Sequence, residues 1–498
     1  MNKYILSIDQ GTTGSRCYIF DAKGIVVASA YREFPQYFPK PGWVEHDAEE
    51  IWASVVLVIK KSLKSLKRSV PNFKPEQIRS IGITNQRETT VLWDRKTHRP
   101  LARAIVWQDR RTAQLCQELK KHETMVRLST GLVIDPYFSA TKIAWLLDHT
   151  QGLRGKARKG EIAFGTIDSW LIFKLTGGKS HVTDMTNASR TMIYDIVRKD
   201  WSKELLDLFN VPLEILPKVY PSGAEFGLTD DVAGLSKGIP ILAVMGDQQA
   251  ALYGQGCWSG GTVKNTYGTG CFMVLNTGRQ MKLSKAGLLT TLACDIHGQP
   301  LYALEGSVFI AGAVIQWLRD ELKVIKDSSS SEELIDGIKD NAGVYFVPAF
   351  VGLGAPYWDS QARGIITGLT RGANVKHIVR AALESMAYQT KDVFDLMQKE
   401  SGLKIKSLAV DGGACRNNFL MQFQADILSA KVQRPRMIDS TVAGVAFLAG
   451  IKAGLWKGKD FKRMHSVERI FTPHVNKSKA AELLQGWHKA VAQARGHS

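Results

Sequence analysis

The sequence predicts a two-domain protein of the mixed α/β class, and three observations carry that expectation. Its 498 residues are more than one hydrophobic core commonly serves. Strand-like hairpins at the start give way to alternating helices and strands. A strand–glycine turn–strand pattern at the start then recurs about half a chain later.

In order, Tyr4–Ile8 is apolar, GTTGS (11–15) turns, Cys17–Phe20 is apolar, DAKG (21–24) turns, and IVVASA (25–30) follows. DAEEIWASVVLVIKKSLKSLKR then carries helical periodicity, with Ile51, Trp52, Val55, Val56, Ile59, Leu63 and Leu66 on one face. Asp47 is placed to cap it, with Glu50 three residues on. SIGITN (80–85) and RAIVWQD (103–109) read as short buried strands. The echo begins at Gly261, where GTVKNTYGTGCFMVLNTG again sets a glycine turn between strands. A third glycine turn, SLAVDGGACRNN (407–418), follows an apolar strand and leads into a helix, NNFLMQFQADILS. Two similar halves facing each other across a cleft bring all three turns onto one nucleotide. The expected domains are 1–250 and 251–498, and DSSSSEE (327–333) reads as a surface loop.

Composition narrows the function classes. Apolar content of 44% and charged content of 22% are those of a soluble globular protein. No apolar run nears the roughly 18 residues of a membrane span. Met1-Asn2-Lys3 runs straight into a strand, and the final ARGHS matches no retention or peroxisomal signal, so a cytoplasmic protein without stable membrane anchoring is expected. The six cysteines (17, 116, 257, 271, 294, 415) form no CxxC pair and read as small buried hydrophobes. The formal charge of +18 is dispersed through clusters such as KKSLKSLKR (60–68) and RGKARKG (154–160). No nucleic-acid motif accompanies it, so no nucleic-acid partner is expected; the charge instead suits attraction of anionic ligands.

Three clusters carry chemistry. In SIDQGTTGSR (7–16), Gly11 and Gly14 permit a tight turn whose N–H groups suit phosphate. Thr12, Thr13 and Ser15 add hydroxyl donors, Arg16 adds a cation, and Asp9 is a hard oxygen ligand suited to Mg2+. No Walker A pattern is present. In NQRETT (85–90), adjacent Arg87 and Glu88 offer donors and an acceptor side by side, which suits a neutral polyhydroxyl compound or an ordinary ion pair. In AVMGDQQAAL (243–252), Asp247 ends a strand, either as acceptor for a substrate hydroxyl proton or as a helix cap.

These stretches resemble the FGGY carbohydrate kinases, and within them the members that act on glycerol. The same resemblance is carried by PGWVEHD (41–47), IVWQDRRT (105–112), TGLVIDPYFSATK (130–142), TNASRTM (186–192), NTYGTGCFM (265–273), ALEGSVFIAGA (303–313) and FVGLGAPYWD (350–359). It runs from the first strand to about residue 456. It implies two actin-like (ribonuclease H-like) α/β domains flanking a nucleotide- and substrate-binding cleft. It also implies ATP-dependent phosphorylation of glycerol to sn-glycerol 3-phosphate, with ATP and Mg2+ as cofactors and a homo-oligomer, dimer or tetramer. Arg87, Glu88, Tyr137, Asp247 and Gln248 match the positions that hold glycerol's hydroxyls, and Trp107 and Phe272 match apolar walls. Thr12, Thr13, Gly14, Arg16, Thr269, Gly312 and Gln316 match phosphate contacts, with Gly413 and Asn417 beside the adenosine. Asp247 matches the proposed base, with Arg87 and Asp9 beside it in catalysis and Asp9 and Asp247 as metal ligands.

Departures from the family pattern are local. Gly14 stands where serine is common, and Arg416 replaces a small residue near the adenosine loop. VAGLSKGIP (232–240) lacks the Gly-Gly…Arg pairing that some bacterial members use for fructose 1,6-bisphosphate, so that inhibition is not expected. Two rival readings are a kinase for another polyol or sugar, and a nucleotide-binding scaffold without an acceptor. NQRETT and GDQQ argue against the first, and the Arg87, Glu88, Tyr137, Asp247 constellation against the second.

Overall fold

The apolar and turn segments of the first thirty residues form three antiparallel strands, Tyr4–Gln10, Gly14–Phe20 and Val26–Glu33, in a computed structural model that describes residues 3–496. Tyr4–Gln10 is buried along its whole length. The strand Ile78–Asn85 pairs parallel to it, Pro240–Gly246 pairs parallel to that, and Gly227–Leu228 closes the edge antiparallel. A strand covered on both faces needs the near-continuous apolar run that YILSI supplies.

The chain divides into two compact units. The first comprises Met1–Trp258, Thr290–Tyr302 and Ser440–Met464. Its sheet is covered by the helix Ala48–Ser69, whose Asp47 cap accepts the N–H groups of Glu49 and Glu50 at 2.8 and 3.3 Å. Ile51, Val55, Val58, Ile59, Leu63 and Leu66 form its buried stripe, while Trp52 and Val56 lie at the margin. The helix Ser440–Lys452 packs on the same sheet, where the Ser80 hydroxyl donates to the Ala449 carbonyl at 3.0 Å. It crosses the helix Asp247–Gly254 backbone against backbone: a Cβ on Gly254 would meet the Ser440 carbonyl, and one on Gly444 the Ala250 carbonyl. RAIVWQD is not one strand. Only Ala104–Ile105 pairs, with Glu45–His46, because the chain turns away at Val106 to present Trp107.

The second unit comprises Ser259–Leu289, Ala303–Asp439 and His465–Ser498. Val263–Tyr267 pairs antiparallel with Cys271–Gly278 and parallel with Ser407–Asp411. Lys431–Pro435 adds parallel and Val467–Phe471 antiparallel, while Pro300–Val308 and Leu289–Cys294 extend the other edge of the seven-stranded sheet. The 27-residue helix Val375–Ser401 buries Leu383, Met386 and Val393 in this core, and Gly402 ends it at φ +70°. The sequence echo is thus an echo of topology, an antiparallel hairpin with a glycine turn whose inner strand pairs parallel with a later one in each sheet. DSSSSEE is not all loop: Ser330–Leu334 is a short helix, whose Ser330 N–H is taken by Asp327 Oδ1 at 2.9 Å. Among the described residues, no helix is long and apolar enough to cross a membrane.

The helix crossing makes a stability prediction. Gly254→Ala is expected to destabilise the protein by about 1–3 kcal/mol, because the added methyl has backbone and not a movable side chain to displace. Gly155→Ala, in an exposed helix with open space around it, is expected to be neutral or stabilising by up to about 1 kcal/mol. Urea unfolding of both variants checks this, and equal midpoints would contradict the packing described.

Candidate active site

Register brings the first candidates together. In the parallel pair Ile78–Asn85 and Pro240–Gly246, Asn85 lies opposite Gly246, so residues 86–88 and 247–248 leave the sheet side by side. Arg87 is 3% exposed and its Nε lies 3.2 Å from Asp247 Oδ1 and 3.8 Å from Glu88 Oε1. A Cβ on Gly246 would sit 2.7 Å from Arg87 Cγ, so glycine there makes room for the arginine stem. Glu88 Oε1 accepts from Arg190 Nε at 2.7 Å, and both side chains are buried. The four side chains form a row of alternating charge, Asp247, Arg87, Glu88, Arg190. Glu88 adopts φ +62°, a left-handed conformation uncommon for a non-glycine residue.

Asp247 is the only one of the four substantially open to solvent, its side chain 31% exposed. It is the first residue of its helix, not the cap; Gly246 holds that position, and Asp247 Oδ1 accepts the Gln248 N–H at 2.7 Å. Gln248 is 8% exposed. Tyr137 and Trp107 meet edge to face with ring centroids 5.5 Å apart, both half-buried, giving the site an aromatic side. Beneath them Lys142 is fully buried and donates from Nζ to the Tyr137 carbonyl at 2.7 Å. Burial pushes its ammonium down to about 7, against the opposing pull of Glu88, Asp109 and Asp135.

The first glycine turn is tighter than the phosphate cradle expected of it. The Gly11 N–H is spent closing the turn onto the Gly14 carbonyl at 2.9 Å. Thr12 Oγ1 accepts from Trp107 Nε1 at 3.0 Å, so an expected phosphate contact and an expected acceptor wall are bonded to each other. Thr13 is exposed. Arg16 stacks 5.3 Å from the centroid of the Tyr31 ring, and Gly14 leaves room for that ring, which a Cβ would approach to 2.6 Å. Serine's absence at 14 therefore has a steric partner in Tyr31. Asp9, 8% exposed, lies opposite Arg16 in the hairpin, and its Oδ2 accepts from Thr441 Oγ1 at 3.0 Å.

In the second unit, Thr269, Gly312, Gln316, Gly413 and Asn417 line one pocket of about 500 Å³, a volume suited to a nucleoside-sized group. The GTG turn closes with Gly268 N–H on the Gly270 carbonyl at 2.9 Å, the counterpart of the first hairpin. The third turn approaches it so closely that a Cβ on Gly412 would strike the Tyr267 carbonyl. Asn417 caps the helix Asn418–Leu428 through Leu420 N–H at 2.8 Å. Arg416 joins the lining. So do Ser328, Ser329, Ser331 and Glu332, which the sequence reading had assigned to a surface loop. Phe272 lies half-buried on the strand Cys271–Gly278 of this unit, and its carbonyl accepts from Lys264 Nζ at 3.2 Å.

Sequence reasoning also missed Arg190, Gln249 and Lys142 as part of the first site. Gln249 Oε1 accepts from Arg87 Nη1 at 3.3 Å. The signal available was the polarity of TNASRTM, a stretch with no amphipathic pattern that proves wholly buried.

Two α/β sheets, each with a glycine turn in a hairpin whose inner strand pairs parallel with a later one, define the actin-like class of two-domain α/β proteins. Residues 4–254 match the family profile "FGGY family of carbohydrate kinases, N-terminal domain", and residues 263–453 match its C-terminal domain. The chain belongs to the FGGY family of carbohydrate kinases. It is 54% identical to a protein named glycerol kinase 2 from Thermotoga maritima, over 99% of both chains. It is 53% identical, over the same share of each, to a protein named glycerol kinase from Bacillus cytotoxicus. A crystal structure of Plasmodium falciparum glycerol kinase with ADP superposes with TM-score 0.92 at 36% identity, covering 99% of this chain and 98% of that one.

Lys142 gives this site a pH signature. Its ordinary value is 10.5, so between about 7 and 10.5 the unfolded chain holds a proton there that the folded chain has released. Stability therefore rises with pH across that window, and below about 7 the full cost of a buried ammonium persists. Lys142→Met is expected to flatten the rise in urea midpoint between pH 7 and pH 9. Parallel profiles for variant and wild type would contradict the assignment.

Proposed function

We propose that the protein transfers the γ-phosphoryl group of ATP to a terminal hydroxyl of glycerol, giving sn-glycerol 3-phosphate in the first step of glycerol catabolism. The observation that carries this reading is the row Asp247–Arg87–Glu88–Arg190 with Tyr137 and Trp107 beside it. It sets acceptors and donors at fixed spacing against an aromatic side, as a small polyol requires. Full-length relatives named glycerol kinase, at 53–54% identity, support the same substrate.

In this reading Arg87, Glu88, Tyr137, Asp247 and Gln248 bind the three hydroxyls, and Trp107 and Phe272 border the carbon chain. A buried site that pairs each hydroxyl discriminates strongly against analogues lacking one, because a polar partner is then left unsatisfied. The pocket of Thr269, Gly312, Gln316, Gly413 and Asn417 takes the nucleotide, with Arg416 and the serine-rich segment at its rim. Thr12, Thr13, Arg16 and the backbone at Gly14 hold phosphate oxygens. Phosphoryl transfer proceeds through a loose transition state, so positioning and charge stabilisation carry most of the catalysis. Asp247 is a weak base for an alcohol and takes the proton late, as the new P–O bond forms. Arg87, 3.2 Å away, orients that carboxylate toward the hydroxyl.

Mg2+ commonly binds through one or two carboxylates, with waters and substrate phosphates as the remaining ligands. Asp9 suits it, a hard oxygen donor almost buried and fixed by Thr441, and Asp247 is the second carboxylate of the set. When bound, the ion would neutralise charge developing on the phosphate oxygens. The expected homo-oligomer and cytoplasmic location belong to the same reading.

ATP consumption measured with glycerol, dihydroxyacetone, xylulose and no acceptor tests the proposal. Turnover should depend on an acceptor and favour glycerol; xylulose without glycerol, or hydrolysis indifferent to acceptor, would contradict it. Asp247→Asn is expected to lower kcat by roughly 10²–10⁴-fold while glycerol still binds. Wild-type turnover in that variant would remove Asp247 as the base.

A further inference from the structure

One segment of the first unit is polar in sequence and wholly buried in structure. Asp184–Thr191 is a single short helical turn in which every residue is at most 3% exposed. Its Asp184 carboxylate fixes the turn by accepting the Thr186 and Asn187 N–H groups at 2.9 and 3.0 Å and the Ser222 hydroxyl at 2.7 Å. Buried polar groups persist when they are satisfied, and here their partners lie in the acceptor site.

Its polar groups lead to several residues of the acceptor site. Thr186 Oγ1 donates to Asp184 and accepts the N–H of Gly246, the residue immediately before Asp247, at 2.9 Å. Asn187 and Asn85 exchange amide hydrogen bonds at 3.0 and 3.1 Å, just ahead of Arg87. The Ser189 hydroxyl lies 3.0 Å from Thr291 Oγ1, which accepts from Gln249 Nε2 at 3.2 Å, and Gln249 in turn accepts from Arg87. Arg190 donates to Glu88 and has its guanidinium 5.6 Å from the Tyr137 ring centroid and 5.2 Å from that of Phe138. The Thr191 carbonyl accepts from Ala140 N–H at 2.9 Å, three residues after Tyr137.

We infer that the turn Asp184–Thr191 positions the acceptor site as a unit, with Arg190 setting polyol selectivity through Glu88 and Thr186 setting the orientation of Asp247. This rests on the glycerol reading above and adds two positioning residues to it. Arg190 touches no substrate in this scheme. It holds the Glu88 carboxylate in one orientation, so that a hydroxyl in the wrong place finds no partner.

Steady-state kinetics on the full chain separate this from simple structural support. Arg190→Gln is expected to raise the KM for glycerol at least about tenfold, with the KM for ATP within about twofold. The preference for glycerol over propane-1,2-diol and propane-1,3-diol should fall at least about tenfold, and Arg190→Lys should recover part of it. Thr186→Val is expected to lower kcat about tenfold at nearly unchanged glycerol KM, and Thr186→Ser to restore it. A purely structural turn would lower Tm in all variants while leaving the glycerol KM and diol preference of folded Arg190→Gln and the kcat of folded Thr186→Val at wild-type values, and that result overturns the proposal. If the Arg190 variants do not fold, the Thr186 pair decides it alone. A wild type inert toward glycerol would sink the functional reading itself, whereas an active wild type with unaltered variants would sink only the positioning role.

Discussion

The first unit is organised around the burial of charge. Arg87, Glu88 and Arg190 are almost completely removed from water, and a buried ion left without its partner costs several kcal/mol. Alternation along the row Asp247–Arg87–Glu88–Arg190 satisfies each charge with its neighbour. The surroundings follow from that need: Gly246 makes room for the Arg87 stem, Gln249 takes its second nitrogen, and aromatic rings flank Arg190. Only Asp247, at the end of the row, keeps substantial solvent access.

The sheet supplies the precision. Two parallel strands ending level at Asn85 and Gly246 deliver both halves of the row from rigid backbone. The same sheet is clamped from behind by helices whose glycines allow backbone contact, so the strand ends have little freedom to shift. In the second unit a related topology is put to a different use. Its glycine turns and helix starts enclose a pocket, because the third glycine turn comes against the second at Tyr267 and Gly412.

Much of this was legible in the chain. Hairpins, the Asp47-capped helix and the repeated glycine turns are local signals, fixed by alternation, capping chemistry and turn geometry. Arg87, Glu88 and Asp247 were legible as candidates because each stands at the end of an apolar strand. Arg190 was not, since its partner lies 102 residues away and a buried polar turn has no periodicity to announce it. The serine-rich segment at 328–331 was misread for a related reason: low complexity resembles a surface loop until tertiary packing lines a pocket with it. Gly11 is legible as the tight turn it forms, but the sequence does not show that its N–H closes that turn onto the Gly14 carbonyl.

The central claim is that Glu88 and Arg190 act as one device in binding glycerol. A double-mutant cycle on glycerol affinity, using Glu88→Gln, Arg190→Gln and the pair together, tests it most directly. The account predicts a coupling of at least about 1.5 kcal/mol, as found for close charge pairs in desolvated sites. Effects that add within about 0.5 kcal/mol would mean the two residues act independently, and would contradict it.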